Sequence, residues 1–343
     1  MTEENRTEIS DLGEFGLIEK INESARVVLP TTIKGIGDDA SVHDIGEKYI
    51  LMSTDLLIEG VHFDLAYMPL QHLGYKAIAV NVSDIAAMNG TPKQMTVSLA
   101  LSNRFSTEAV GMLYEGVRAA CDEYNVDLVG GDTTASPSGL MISVTAMGEC
   151  DKDKIVYRSG AKENDILCVT GDLGGALLGL QVLEREKQEF LANPEMQPKL
   201  DAYDFIVGRQ LKPNARLDIV QQLAEAGVVP TSMIDVSDGL ASDLFHICKQ
   251  SDVGFSIYED KLPIDKQTFE TAAEFTMDPN ACALNGGEDY ELAFTVKQED
   301  YDKIEKVEDV SSIGYMHSKD KGRVLVTSGN QVIELEAKGW KHF

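Results

Sequence analysis

The sequence predicts an α/β protein with mixed sheets, arranged as two lobes. Three observations support this fold class. Short apolar patterns typical of strands alternate with helical patterns, the 343 residues exceed one ordinary hydrophobic core, and each half carries an Asp-containing motif at a predicted strand end. A charged, turn-rich stretch at 150–165 separates the halves. We therefore expect an N-terminal domain at 1–150 and a C-terminal domain at 151–343.

In the N-terminal half, the predicted helices are 13–26, 72–89 and about 106–124, and the predicted strands are 49–53, 94–101, 126–129 and 140–148. On the second helix, Asp84 shares a face with Ala77, Asn81 and Met88. Asp84 is therefore expected to point inward, where a carboxylate needs a partner or a metal ion.

In the C-terminal half, the predicted strands are 166–170, 234–236, 253–258, 290–296, 311–315, 323–327 and 331–335. A glycine turn follows the first of these strands and leads into an apolar helix. Further helices are predicted at 214–227 and from about 239 to 250, and the polar stretch 186–203 is interpreted as a surface connection. This alternation is typical of an α/β lobe with a mixed sheet.

The composition excludes several functions. The net charge is −27, with 57 acidic against 30 basic residues, which argues against nucleic-acid binding. The five cysteines show no CxxC pattern, which argues against zinc and a disulfide framework. No targeting segment is apparent, and no apolar run approaches the ~18 residues of a membrane span. We therefore expect a soluble cytoplasmic protein without membrane contact.

Aspartates recur in short motifs with small neighbours: Gly37-Asp38-Asp39, Ser53-Thr54-Asp55, Val82-Ser83-Asp84, Gly130-Gly131-Asp132-Thr133 and Asp235-Val236-Ser237-Asp238-Gly239. Strand 49–53 is expected to end at Thr54, and strand 126–129 to deliver Asp132 at its carboxyl end. Two carboxylates 4 Å apart repel by about 4 kcal/mol at an effective dielectric of 20. If these motifs converge, cations must lie between them. Alone, each motif is equally typical of a turn or a helix N-cap.

The donor set indicates the metal. Aspartate and hydroxyl oxygens without His or Cys suit Mg²⁺ or Mn²⁺. Ca²⁺ also takes oxygen ligands, but the sequence has no EF-hand spacing. It also lacks a GxxxxGK[ST] loop and a GxGxxG motif, so any ATP would be held through metals, glycine amides and a few cations.

Four further residues are candidates, each with a plainer alternative. Arg158 could clamp a phosphate or form an ion pair at the rim, and His62 could donate to a phosphate or be a surface histidine. Glu288, after Gly286-Gly287, could face a cationic ring or belong to a turn. Trp340 could stack on a heteroaromatic substrate or hold the chain end in place.

The motifs GIGDDA, STDLLIEGVHF, GYKAIAVNVSDIAAMNG, GGDTT, RSGAK, DVSDGLASDL, GGEDYEL and GWKHF together resemble the thiamine-monophosphate kinase family, in that family's order and over nearly the whole chain. The resemblance implies a two-lobed aminoimidazole ribonucleotide synthetase-like fold. It also implies ATP-dependent phosphorylation of thiamine monophosphate to thiamine diphosphate, and a homodimer whose N-terminal lobes pair across a β-rich interface.

Carried over by motif, the resemblance assigns site residues. The implied Mg²⁺ ligands are Asp39, Ser53, Thr54, Asp55, Asp84, Asp132, Asp235 and Asp238. The implied ATP-binding residues are Tyr114, Gly131, Asp132, Arg158 and Ser237, and the implied residues for thiamine monophosphate are His62, Glu288 and Trp340. One departure is Asp172-Leu173-Gly174-Gly175, where the family often has a Gly-Asp-Ser turn.

The acceptor chemistry is consistent with this assignment. A phosphate monoester with a second pKa of about 6 is mostly dianionic at neutral pH and needs no general base. The obstacle is the approach of two anions, which several Mg²⁺ ions and Arg158 would reduce. We expect direct in-line transfer without a phosphoenzyme. The alternatives are an ATP-dependent amidine- or selenophosphate-forming relative, and a divalent-cation or nucleotide sensor without turnover.

Overall fold

The N-terminal half forms a six-stranded sheet with long helices against one face. The computed structural model describes residues 9–339. The helices of this half are α1 (Ile9–Ser24), α2 (Leu70–Ala87) and α3 (Thr107–Tyr124), and the strands are β1 (Thr32–Lys34), β2 (Ser41–Asp44), β3 (Lys48–Ile58), β4 (Thr91–Leu101), β5 (Asp127–Ala135) and β6 (Met141–Asp151). The strand order is β1-β2-β3-β6-β4-β5, and β4 and β5 are the parallel neighbours.

The C-terminal half forms a seven-stranded sheet in the order β13-β12-β9-β11-β7-β10-β8. Its strands are β7 (Ile166–Thr170), β8 (Ser232–Asp235), β9 (Val253–Tyr258), β10 (Leu292–Val296), β11 (Val310–Ser318), β12 (Arg323–Val326) and β13 (Val332–Glu334). Its helices are α4 (Gly175–Ala192), α5 (Asp204–Leu211), α6 (Leu217–Glu225), α7 (Leu240–Ser251), α8 (Lys266–Glu274), α9 (Pro279–Asn285) and α10 (Tyr301–Ile304). No helix in the described range combines the length and the apolar character needed to cross a bilayer.

Helix α2 is the central element of the molecule. It is buried along almost its whole length, as expected for a helix that is apolar on most sides. It packs against the N-terminal sheet and α3, and it also contacts β8 and α6 of the other lobe. Its approach to α3 depends on two glycines, because a Cβ on Gly74 or Gly116 would lie 2.0 Å or 1.8 Å from a backbone oxygen of the facing helix. Side chains of α2 therefore reach the junction between the lobes.

Two strand predictions are wrong in a way that affects the site. Strand β3 does not end at Thr54 but runs on to Ile58, so 53–55 lie within the strand. Strand β5 likewise runs through 130–133, so this motif is not a loop at a strand end. In a strand, successive side chains point to opposite faces, and consecutive residues cannot all face one ligand.

Other differences concern weak patterns. Helix α4 extends to Ala192, so part of the predicted surface connection is helical. The strands β1 and β2 and the helices α5, α8, α9 and α10 were not predicted.

The face of the N-terminal sheet away from α2 is exposed and partly apolar. Met52, Leu56 and Met147 lie exposed on the central strands. All nine residues of the edge strand β5 are exposed, and Val129 retains 59% of its accessible surface. A bare edge strand beside an apolar sheet face is a typical pairing surface.

Candidate active site

A cleft with a volume of about 1000 Å³ lies between the lobes and gathers most of the predicted site residues. The predicted residues that border it are Asp39, Ser53, Thr54, Asp55, His62, Asp84, Arg158, Asp235, Ser237, Asp238 and Glu288. They come from the turn before β2, from β3 and the loop after it, from α2 and from the segment after β6. The C-terminal half adds the end of β8, the loop after it and the segment before β10. Helix α1 adds an apolar wall that includes Phe15 and Ile18.

Three aspartates form the centre of this cleft. Carboxylate oxygens of Asp39, Asp84 and Asp235 all lie within 4.8 Å of one another. Two hydroxyls orient this group, since Ser53 donates to Asp84 and Ser83 Oγ donates to Asp235 at 2.7 Å. Asp39 Oδ2 is buried and accepts no hydrogen bond within the described part of the chain. A buried carboxylate oxygen without a donor, facing two further carboxylates, fits a divalent cation.

The pKa values of these aspartates show that their ionised forms are unfavourable in the folded protein. Burial, followed by the charges of Asp55, Asp235 and Asp39, holds the pKa of Asp84 well above its ordinary value. Burial and then Asp39 raise the pKa of Asp235 to about 7. Burial and then the charge of Glu14 raise the pKa of Asp55 to about 6. Without bound cations, the folded protein therefore favours protonated carboxyls in this cluster.

Arg158 is the cation that reaches the cluster. Its Nη2 lies 2.6 Å from Asp39 Oδ1, and its backbone N–H donates to Asp38 at 3.1 Å. Burial alone would lower the pKa of Arg158, but Asp39 and Asp38 outweigh it and leave that pKa raised. Asp38 also pairs with Lys34 at 3.1 Å. The guanidinium therefore orients Asp39 at the border of the cleft.

The loop after β8 is built differently from the predicted cap. The N-cap of α7 is Gly239, with no side-chain cap bond, so neither Ser237 nor Asp238 acts as the cap. Instead, the buried Asp243 accepts from the backbone N–H groups of Asp238 and Gly239 at 3.3 and 3.2 Å. Asp243 thereby fixes the loop that carries two predicted ligands. Sequence reasoning missed it, although it lies in the same DVSDGLASDL motif.

The segment before β10 has an unusual backbone. Gly287, Glu288 and Tyr290 have φ values of 70°, 57° and 51°. The N–H of Glu288 donates to the Ser237 carbonyl at 2.7 Å, which ties this segment to the loop after β8. Non-glycine residues in the left-handed region are uncommon and cluster at ligand sites.

His62 lies at another side of the cleft. Its Nδ1 accepts the N–H of Ile58 at 3.0 Å. In the neutral imidazole, the proton is therefore on Nε2, which makes that nitrogen a donor.

Three predicted residues of the described range are not brought into the cleft with the others. Gly131 and Asp132 lie on β5, where Asp132 Oδ1 accepts the N–H of Thr133 at 2.8 Å. Gly131 is in register with Asp55 across the sheet, but three strand spacings apart, or about 14 Å. Tyr114 packs against the N-terminal core from α3. Trp340 lies outside the described residues.

Thr54 borders the cleft but is oriented away from the cluster. Its hydroxyl donates to the carbonyl of Val144 at 2.9 Å, on the opposite sheet face from Ser53 and Asp55. The alternation within β3 explains this, because the strand continues through the motif.

Two family models match the chain. One, described as "AIR synthase related protein, N-terminal domain", matches residues 37–150, and the other, "AIR synthase related protein, C-terminal domain", matches 162–327. These matches confirm the predicted two-lobed, aminoimidazole ribonucleotide synthetase-like α/β fold.

Similar proteins of assigned function cover the whole chain. Thiamine-monophosphate kinase of Bacillus subtilis is 35% identical over 97% of this chain and 100% of its own length. The thiamine-monophosphate kinase of Aquifex aeolicus is also 35% identical, over 98% and 99%. A solved structure described as "AaThiL complexed with AMPPCP and TMP" aligns with a TM-score of 0.83 at 33% identity, over 99% of this chain and 100% of that one.

Proposed function

The chain belongs to the thiamine-monophosphate kinase family, and we propose that it phosphorylates thiamine monophosphate to thiamine diphosphate with ATP. The observation that carries this proposal is the convergence of Asp39, Asp84 and Asp235 in an inter-lobe cleft. A solved relative binds an ATP analogue and TMP, as its description states. We also propose that residues 1–150 bind ATP and metal and form the dimer, and that residues 151–343 complete the nucleotide and substrate site. A cytoplasmic location stays a prediction.

The cluster residues suit several Mg²⁺ ions. Asp39, Asp84 and Asp235 would hold them together with Ser53, Asp55 and Asp238. When bound, Mg²⁺ neutralises phosphate oxygens and so lowers the repulsion between acceptor and ATP. The chain itself contributes fixed carboxylates, because Ser53 and Ser83 orient two of them before any ligand arrives.

The remaining residues would position the two phosphorylated reactants. Arg158 would contact ATP phosphates by its planar fork, and Ser237, which borders the same cleft, would contribute to ATP binding. His62 would donate from Nε2 to the phosphate of thiamine monophosphate, and Glu288 would face its cationic ring. The dianionic acceptor needs no general base, so we propose direct in-line transfer without a phosphoenzyme.

We further propose that a homodimer completes the site. Asp132 and Gly131 lie about 14 Å from Asp55 within one chain, too far to share its metal. They stand on a fully exposed edge strand, next to an exposed apolar sheet face. Pairing of this surface with a second copy would bring the partner's β5 motif to the cleft, and it would bury Val129 and Leu56 as well.

Product analysis tests the activity. Incubation with ATP, Mg²⁺ and thiamine monophosphate should yield thiamine diphosphate and ADP in equal amounts. Binding of both ligands without turnover would instead support a sensor. A phosphorylated protein trapped during a single turnover would overturn the direct transfer.

Subunit complementation tests the shared site. Asp84→Asn and Asp132→Asn should each be inactive as homodimers. In a two-fold dimer whose sites each combine both residues from different chains, random co-assembly should restore about a quarter of wild-type activity. No restoration in a verified heterodimer would place both aspartates in one chain's site or exclude Asp132 from it.

A further inference from the structure

A fully buried lysine at the lobe junction has no role in the chemistry described above. Lys76, on α2, retains only 1% of its side-chain surface. Lysines are almost never this buried unless they are paired. Its Nζ lies 3.0 Å from Glu288 Oε1 and donates to the backbone carbonyl of Gln210 at 3.2 Å. Both partners belong to the C-terminal lobe, whereas Lys76 belongs to the N-terminal lobe.

The carboxylate of Glu288 is held from two sides. Lys76 occupies Oε1, and the side-chain amide of Gln210 donates to Oε2 at 2.7 Å. The side chain of Glu288 remains 30% exposed, on the cleft side. Each carboxylate oxygen has two acceptor positions. The donors from the protein therefore fix the direction of the carboxylate and leave acceptor positions for a ligand.

The backbone of this residue is held just as firmly. The next residue, Asp289, is fully buried and accepts from the N–H groups of Gly174 and Ala176 at 2.8 and 3.2 Å. Arg209 donates to the carbonyl of Asp289 at 2.9 Å. These bonds keep Glu288 in its left-handed conformation, which only a strongly constrained segment maintains.

We propose that Lys76 is a positioning residue for substrate specificity, which acts through Glu288 to keep a charged, oriented acceptor for the cationic and amino-bearing rings of thiamine monophosphate. The proposal rests on the proposed function. It differs from a metal role, because Lys76 contacts none of the clustered aspartates. It also makes recognition of the ring depend on the native contact between the lobes, since the lysine and the glutamate come from different lobes.

The test is steady-state kinetics of Lys76→Met in the full chain with saturating Mg²⁺. We expect the KM for thiamine monophosphate to rise by about 10-fold or more, while the KM for ATP and kcat change by less than about 3-fold. Glu288→Gln should show the same split. The KM of the double variant for thiamine monophosphate should be no higher than that of the more impaired single variant, because both substitutions disrupt the same interaction.

Lys212→Met is the matched control. Its Nζ lies 4.1 Å from the ring centre of Tyr75 at the same lobe junction, and it does not contact Glu288. All kinetic constants should be unchanged in this variant. If Lys76→Met does not fold, as judged by circular dichroism, Gln210→Met takes its place with the same expected split.

Three results would overturn the inference: an unchanged KM for thiamine monophosphate, equal increases in both KM values, or multiplicative effects in the double variant. A wild-type protein that forms no thiamine diphosphate would instead reject the proposed function itself. The two failures are therefore distinguishable.

Discussion

Two acidic clusters in this molecule differ in how many of their carboxylates are paired with a cation of the protein. In the inter-lobe cleft, Asp84 and Asp235 have no ion-pair partner among the described residues, and the guanidinium of Arg158 pairs with Asp39. Hydroxyl groups orient these carboxylates but do not neutralise them. The protein therefore leaves room there for cations from solution.

The second cluster, in a cleft of about 860 Å³ lined mainly by the C-terminal half, carries its own cations. The buried Glu291 lies 2.7 Å from Arg209 and 2.6 Å from Arg216. Arg209 also approaches Asp172 at 3.3 Å, and Arg216 approaches Asp309 at 2.7 Å. Every carboxylate named here has a guanidinium partner, so none is left unpaired as Asp84 and Asp235 are.

The N-terminal end of α4, where an anion could bind, is likewise occupied by a group of the protein itself. The start of α4 follows the glycine turn of the second lobe, and such a helix start commonly binds phosphate. Here the Asp289 carboxylate already accepts from Gly174 and Ala176. Two glycine–aspartate turns of the C-terminal lobe therefore differ: Asp235 and Asp238 border the inter-lobe cleft, whereas the turn at 171–175 is held by bonds within the fold.

The largest expected effect is on the unneutralised cluster. Asp84→Asn removes one charge but keeps the shape and the bond from Ser53. We expect turnover to fall on the order of 1000-fold, because a metal ligand is weakened. The metal-free protein should become more stable by about 1 kcal/mol, since repulsion is relieved. Assays of thiamine diphosphate formation and urea unfolding measure the two effects.

Asp172→Asn is the matched change in the neutralised cluster. It should leave turnover within about 3-fold, because Asp172 pairs with Arg209 and lies outside the residues that border the inter-lobe cleft. A loss of turnover in Asp172→Asn as large as that in Asp84→Asn would contradict the distinction between the two clusters.

Removal of a cation from the second cluster should mainly affect stability. Arg216→Met leaves Glu291, which is 1% exposed, with one guanidinium instead of two. We expect a loss of about 3 kcal/mol in the free energy of unfolding, measured by urea titration, with no recovery on adding Mg²⁺. As a control, Lys303→Met breaks the exposed pair with Asp300 and should cost less than about 1 kcal/mol. Similar losses in both variants would show that burial of the pair is not what matters.

The metal-free protein should lose stability as the pH rises. The pKa values of Asp235 and Asp55 are raised to about 7 and about 6, chiefly by burial. Aspartates of an unfolded chain titrate near 3.9. Between about pH 4 and the raised pKa values of Asp55 and Asp235, the folded state therefore binds more protons than the unfolded state. The stability of the folded state therefore falls across this range. We expect a decrease of about 2 kcal/mol between about pH 5 and about pH 8 in urea unfolding.

Saturating Mg²⁺ should reduce this pH dependence, because cations favour the ionised carboxylates of the cluster. The part due to Asp172 and Asp289, whose pKa values burial raises to about 6 and about 7 outside the cluster, should remain. The pH dependence of stability should also be weaker in Asp84→Asn than in the wild-type protein. The histidines titrate in both proteins, so their contribution cancels when the two profiles are compared. A pH profile that is the same with and without Mg²⁺ would contradict the assignment of this cluster to metal binding.

Much of the fold was predictable where local signals agreed. Strands β7 and β9 match their predicted bounds, since both are short, buried apolar runs. Helix α3 was also recognisable, and Ser106 caps it by accepting from Ala109. By contrast, β1 and β2 are only three and four residues long. Their pairing depends on tertiary contacts that no local pattern encodes.

The site shows the same limit. The inward direction of Asp84 followed from helical spacing. Its approach to Asp39 and Asp235 was only the condition of the repulsion argument, and the family resemblance supplied it. The position of Asp132 depends on strand order, which periodicity does not specify. Lys76 was not singled out from the sequence, because a lysine in a helix is ordinarily a surface residue. Only the structure shows that it is buried against Glu288.

The smallest expected effect separates two neighbours within β3. Ser53 and Thr54 are equivalent as hydroxyl donors in the sequence, but the strand places them on opposite faces, and only Ser53 contacts Asp84. Thr54→Val should therefore change turnover by less than about 3-fold, since its hydroxyl serves the Val144 carbonyl. Ser53→Ala should reduce turnover about 10-fold, because Asp84 loses the donor that orients it. Both rates are measured at saturating ATP and varied Mg²⁺, where Ser53→Ala alone should require more Mg²⁺. A larger loss for Thr54→Val would show that its hydroxyl turns toward the cleft when ligands bind, and the cluster would then include both faces of the strand.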